Sequence, residues 1–572
     1  MKHSVFKKEI MMLHNNPARR SGGSAYYHKS FARHGNYGHG VGPACLILIL
    51  LFTAGPSAQA ARGQAPTPGP SAPLSRTYYI NANTGQDTNA GTSRKAPWRT
   101  LARVNRQIFK PGDRVLFRAG DIWQGQLNLR GQGTAGMPIR VDSYGPGALP
   151  EIDMGRSTGA AVSVINEGYW EIRHLCMTST AAAKFAKGPR VGVLVNSTCH
   201  HILHHIVIAH CVIRHIKGGL SHYDSGGIFV GLDGWISRNA PFSTYRDVTI
   251  SQNTITDVDR CGIVVWTPSN SNYFDKMAKS QHLSGPLLPS RGVVVSHNHL
   301  SNIGGDAILV LGSAGAMVAH NDVHESCLRT QFGQRGNRFS AAVWLHSCSR
   351  SVMQFNKVFD SRPQPGNGDA EAFDFDFGCR HCILQYNFSE GNWGGLLLIM
   401  GSARDNTVRY NISVNDVPPQ YAPDLPVAIR NAMPGSEHLL YLQCQAQENN
   451  LIYNNDFCVS RGVGVIYTGA PYFKNNIFYA VGKGGFRTNG PVAAGQFVRN
   501  DYFGPWQGSP PSAKDNLQVN PRFVNIRRQD FRLRANSPLI NRGLSVADNG
   551  GRDYFGRDLK HGTSIGASQG PQ

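Results

Sequence analysis

The chain has 572 residues, 41% apolar and only 16% charged, which excludes an intrinsically disordered protein and leaves enough apolar mass for a large core. The formal charge is +21, yet there is no Lys/Arg run and no nucleic-acid motif. The basic balance therefore points to an acidic polysaccharide or an anionic envelope, not to nucleic acid.

The first element is a leader. Residues 1–60 carry seven Lys/Arg against one acid, then the short apolar run Ala44–Ala54 (ACLILILLFTA), then Ser57-Ala58-Gln59-Ala60. A basic region, an apolar core and a small-residue site predict a secretory signal peptide with a long basic n-region, cleaved near Ala60. The product is expected to be exported, periplasmic or extracellular. Eleven apolar residues are too few for a stable membrane span. Residues 61–75 (ARGQAPTPGPSAPLS) read as a Pro-rich linker with nothing to pack.

The folded part is predicted over 76–568, with an N-terminal cap at 76–150 and a C-terminal cap at 515–568. Trp98, Leu101, Val104 and Ile108 recur at helical spacing before Pro111-Gly112. They predict a short amphipathic helix that covers the open end of a stack of strands. Short alternating strands come next: RVLFRAG, GQLNLRG, MPIRVDSYG. The stretch CHHILHHIVIAHCVIRHI (199–216) lacks the ligand spacing of a closed metal site and reads as stacked or exposed histidines.

From Asn253 to Asn476 one phrase repeats: alternating apolar residues, an Asn, a turn, a glycine-led strand. Its copies end at Asn253, Asn298, Asn321, Asn356, Asn387, Asn411, Asn455 and Asn476, with the closest pairs 21, 23 and 24 residues apart. That is one turn of a solenoid. The asparagines are expected to form an amide ladder at a turn. Insertions near 267–290, 328–338, 361–370 and 416–437 map to loops. Ten cysteines follow the leader, and in an exported protein some should pair. Cys379-x-x-Cys382 is read as core thiols or a local disulfide in preference to a redox or zinc half-site.

Stacking the rungs predicts which residues share a surface. Aligning Ile228, Ile263, Ile308, Val343, Phe373 and Leu396 makes them, and the residues two places on, inward columns. Phe229, Val264, Trp266, Leu309, Leu311, Trp344, His346, Asp374, Asp376, Leu397 and Ile399 then face outward. Asp374 and Asp376, two residues apart on one strand, fall roughly 6.6 Å apart, near the carboxyl spacing of inverting glycosidases. His346 is expected one rung from Asp376. Trp344 and Trp266 are candidate faces for a sugar ring. Asp369 and Glu371 flank the pair, Glu371 as a further catalytic candidate and Asp369 as a substrate contact. Four carboxylates within eight residues could raise one another's pKa, leaving one protonated as a general acid, or could ligate Ca²⁺. No other cofactor is suggested.

The opening YYINANTGQDTNAGTSRKAPWRTLARVN, the Asn-marked rungs and the closing NPRFVN, DFRLRANSPLINRG and SIGA resemble the right-handed parallel β-helix superfamily. That superfamily includes pectate-lyase-like and polygalacturonase-like enzymes. The resemblance implies an all-β fold, a single right-handed parallel β-helix. It implies no mechanism: the Arg-x-Pro-x-x-Arg of pectate lyases is absent. So are the adjacent Asp pair and Gly-His-Gly of polygalacturonases, outside the leader. The expected function is degradation of an acidic polysaccharide by hydrolysis or β-elimination at a groove on the helix face. The alternative is a non-catalytic β-helix that binds glycan or envelope polymer.

Overall fold

In the computed structural model the described residues are 75–571, except 181–187, 199–200, 222, 233–242, 268–287, 330–339, 364–368, 418–437, 444–447, 470, 491, 514 and 560–562. The leader and all but the last residue of the linker lie outside them, as do most of the four insertions. Residues 72–572 form one compact unit.

Among the described residues a 15-stranded parallel sheet runs from Thr77–Ile80 to Phe497–Val498. A second assembly of 23 strands holds two further parallel ladders, which meet at the bent strand Asp456–Thr468. Each turn of chain contributes one strand to each ladder, so the molecule is a right-handed parallel β-helix. An antiparallel hairpin, Phe523–Asn525 with Asp530–Leu533, packs Phe523, Phe531 and Leu533 against Phe388, Ile412, Cys458 and Ile477. The one α-helix among the described residues, Leu101–Arg106, is shorter than predicted. Thr100 caps it, Leu101 and Val104 enter the core, and Ile108 lies past its end at 58% exposed. No described helix is long and apolar enough to cross a membrane.

Inside, equivalent residues stack rung on rung. One column runs Val162, Val193, Ile228, Ile263, Ile308, Val343, Phe373, Leu397, Leu440, Ile466, all buried. This corrects the predicted alignment at one rung. Leu397 and Ile399, not Leu396 and Leu398, continue the columns of Phe373 and Phe375, so Leu398 faces outward. Four consecutive apolar residues fit either register, and a one-residue slip exchanges the faces.

The turn beside the core is held by amides. Nine asparagines, 253, 298, 321, 356, 387, 411, 455, 476 and 500, form an unbroken ladder in which each Nδ2 donates to the next Oδ1 at 2.9–3.0 Å. Each of those oxygens also accepts the main-chain N–H of the preceding asparagine, so buried turn donors are satisfied without water. The residue before each Asn takes the left-handed conformation. There His297, His320, Phe355, Tyr386 and Tyr410 stack ring on ring, with centroids 4.8–5.9 Å apart. The eight cysteines among the described residues are buried free thiols, Cys379 and Cys382 included. Cys199 and Cys444 lie outside the described residues.

Candidate active site

The outward face of one ladder positions the site. Leu194, Phe229, Val264, Leu309, Trp344, Asp374, Leu398, Tyr441 and Tyr467 are register partners in sequence. Asp374 is thus a lone carboxyl in an otherwise apolar and aromatic column, buried between Trp344 and Leu398. Its Oδ1 has no hydrogen-bond partner. Burial, then Asp376, Glu371, Asp369 and Asp306 nearby, raise its pKa far above the ordinary carboxylate range. Burial and the neighbouring carboxylates thus favour the neutral form of Asp374 over the charged one.

Asp376 stands just past the strand, where its N–H donates to Leu345 O at 2.9 Å. Its Oδ1 accepts the Phe377 N–H at 2.6 Å, and its Oδ2 lies 3.8 Å from His346 Nε2. The carboxyl is 18% exposed. His346, one rung back, is buried with Nδ1 2.8 Å from Ser347 Oγ, and burial holds its pKa low. A neutral imidazole thus faces Asp376.

Asp369 enters the same cluster from the turn before the strand, in a left-handed conformation and half-buried. Burial, then Asp376 and Asp306, push its pKa up to about 8. Gly394 on the next rung allows this turn to sit close. A β-carbon there would come within 2.2 Å of Ala370 C and 2.3 Å of Asp369 O. Glu371 also belongs to the cluster but is fully buried. It adds field rather than contact with a ligand.

Sequence reasoning missed the Arg260 pairing at the base of the cluster. Asp306 is buried, accepts from Trp344 Nε1 at 3.0 Å and from the Ala341 N–H at 3.2 Å, and pairs with buried Arg260 at 2.5 Å. Arg260 also donates to Ser340 Oγ and lies under the Tyr223 ring, 4.4 Å from its centroid. This pair accounts for the two tryptophans. Trp344 is buried with its indole N–H spent on Asp306, and Trp266 is buried with its ring tilted against Tyr223. Both belong to a second apolar cluster on the outer face, not to an open sugar platform. The spacing to Arg260 is not periodic, so no repeat alignment could have found it.

Among the described residues no three His, Cys, Asp or Glu side chains are arranged to hold an ion. In the histidine-rich stretch His210 stacks on His174 at 4.9 Å, and His205 lies between two carboxylates.

Comparison with known proteins agrees with the architecture. Residues 240–416 match the family described as right handed beta helix region. That match and the parallel sheet topology agree on a right-handed parallel β-helix. The chain is 28% identical over 415 residues to a lacto-N-biosidase of Bifidobacterium longum subsp. longum, an alignment covering 59% of this chain and 26% of that protein. The solved GH136 lacto-N-biosidase of Eubacterium ramulus superposes with a TM-score of 0.54 at 22% identity, covering 67% of this β-helix chain and 64% of that one. The β-helix chain therefore spans about a quarter of the first relative and just under two thirds of the second.

Proposed function

We propose that this β-helix protein is a glycosidase whose two working groups are Asp369 and Asp376. Glycoside hydrolysis needs one carboxyl that holds a proton at working pH and one that stays charged. Asp369 suits the first role: it is half-buried, and burial, with Asp376 and Asp306 nearby, pushes its pKa up to about 8. Asp376 suits the second, partly exposed and steadied by the Phe377 N–H, as nucleophile or as base toward water. Asp374 is buried between its strand neighbours, so the proton donor is assigned to Asp369 instead. The observation that carries the reading is this separation of one cluster into a half-buried acid and a hydrogen-bonded carboxylate. The likeness to two lacto-N-biosidases supports a carbohydrate-degrading enzyme.

The local field argues against an acidic polysaccharide as the cleaved substrate, despite the +21 total charge. Five acids gather here. A uronate at this point would bring a further negative charge to a cluster of acids, and the Arg260 guanidinium is already spent on Asp306. A neutral glycan fits better. β-Elimination is disfavoured on the same ground.

The test is incubation with neutral β-linked oligosaccharides and, separately, with pectate and alginate. Reducing ends without unsaturated-uronate absorbance are expected from the neutral set. Asp369→Asn and Asp376→Asn should each lower kcat by about a hundredfold or more. Unsaturated products, or full rates in both variants, would overturn the assignment. Sugar binding without turnover would favour the non-catalytic alternative.

A further inference from the structure

Far from the acids, a cleft of about 350 Å³ opens on the 15-stranded sheet. It is lined by the 135–138 loop, Tyr169, Glu171, His204, His205 and Asp247. Three left-handed residues, Tyr169, His205 and Asp247, recur on successive rungs and break the ladder between Trp170–Arg173, Ile202–Ala209 and Thr244–Ser251. The left-handed turns re-aim side chains, and here they bring polar groups to one spot. The strand bearing His205 lies more than four rungs before the Asp374 strand, roughly 20 Å along the axis at ~4.8 Å per rung, and on another sheet.

The cleft is pre-organised. His205 Nδ1 lies 2.7 Å from Asp247 Oδ2 and its Nε2 3.1 Å from Glu171 Oε1. Glu171 Oε2 in turn accepts from Arg140 and Arg173 at 2.8 and 3.1 Å. With a carboxylate at each nitrogen the imidazole donates twice and is cationic. Burial opposes that charge, but the bonds to Asp247 and Glu171 hold the His205 pKa above its ordinary value. The Tyr169 and His204 rings stack at 5.8 Å with planes 9° apart, giving a fixed aromatic wall opposite Pro138. Asp247, 61% exposed, uses only Oδ2 in this network and leaves Oδ1 as an acceptor at the rim.

We propose that this cleft is a second saccharide-binding site, taking one or two rings of a neutral sugar. Its volume is at the low end for ligand pockets. Its charges are already paired with one another, so a charged ligand gains little there. A pyranose brings what the walls lack: an apolar face for Tyr169, His204 and Pro138, and hydroxyls that donate to Asp247. The site binds and does not react.

Saturation-transfer NMR and calorimetry on the full chain test this, with galactose, N-acetylglucosamine and lactose as neutral probes and galacturonate as the charged one. Saturation of a neutral sugar is expected, with Kd weakened about tenfold or more by His204→Ala with Asp247→Ser and unchanged by Asp376→Asn. Both altered residues are exposed, so a circular-dichroism melt equal to the parent's shows that loss of binding is not loss of fold. Calorimetric stoichiometry separates this cleft from the acid cluster, which is itself proposed to take a neutral glycan. The proposal is overturned by no neutral-sugar binding at millimolar concentration, by a stoichiometry that the double substitution leaves unchanged, or by tighter binding of galacturonate. Each readout is binding alone, so it stands or falls apart from the hydrolytic reading.

Discussion

At the scale of single residues, three aspartates within eight positions are set apart by exposure and by what donates to them. Burial favours the neutral form of Asp374, so Asp374→Asn replaces it with a neutral group of the same size. That variant is expected to keep at least about a tenth of kcat, whereas Asp369→Asn loses about a hundredfold. Steady-state kinetics on the same substrate decide it. The proton on Asp369 gives a second expectation. With its pKa pushed up to about 8, the donor form persists through neutral pH and disappears above it. The kcat profile should therefore fall as pH rises through about 8, and that limb should vanish in Asp369→Asn. Gly394→Ala tests the turn that carries Asp369, since a β-carbon would press on Ala370 and Asp369 main chain. Activity is expected to drop with little change in the melting of the remaining rungs.

At the scale of the element, the asparagine ladder shows how a repeat becomes a structure. Each amide satisfies two donors of its neighbour, so removing one carboxamide orphans buried N–H groups on the preceding rung. Asn387→Ala leaves the Asn356 main-chain N–H and Nδ2 short of an acceptor. It should cost about 2–4 kcal/mol, read from urea unfolding. The ladder was legible because its chemistry repeats with the chain, and its ninth member, Asn500, follows the same pattern. The slip at Leu396/Leu397 was not legible. The run Leu396 to Ile399 offers no polar residue to mark a face, and only the hydrogen bonds to the Phe373 strand choose the register.

At the scale of the whole molecule, the C-terminal segment straps the rungs together. Ser564 O and Gly566 O accept from Asn454 Nδ2, and the Ala567 N–H donates to buried Asp456 Oδ1 at 2.9 Å. Burial pushes Asp456 up to about 8 against roughly 3.9 in an unfolded chain. The fold therefore binds a proton that the unfolded chain releases. Stability from this group is complete below pH ~4 and is lost as pH rises through about 8. Asp456→Asn keeps the acceptor for Ala567 without the titration. It should raise the urea midpoint relative to the parent at pH 9, with the difference closing below pH 4.

By itself the sequence determined the β-helix, the turn ladder and the segment in which the acids cluster. Those depend on local periodicity: alternation decides which residues face the core, and recurring asparagines decide where each rung turns. Even the proximity of His346 to Asp376 followed from counting rungs. Tertiary structure alone decided which acid is half-buried and which is fully buried, because exposure and field depend on groups distant in sequence. Arg260 and Asp306 lie 46 residues apart, and both are far from Asp369, yet together they form the floor beneath it. The same holds for the tryptophans, whose residue type suggested a sugar platform. Their burial, and the Asp306 carboxylate that takes the Trp344 indole N–H, made them structure instead.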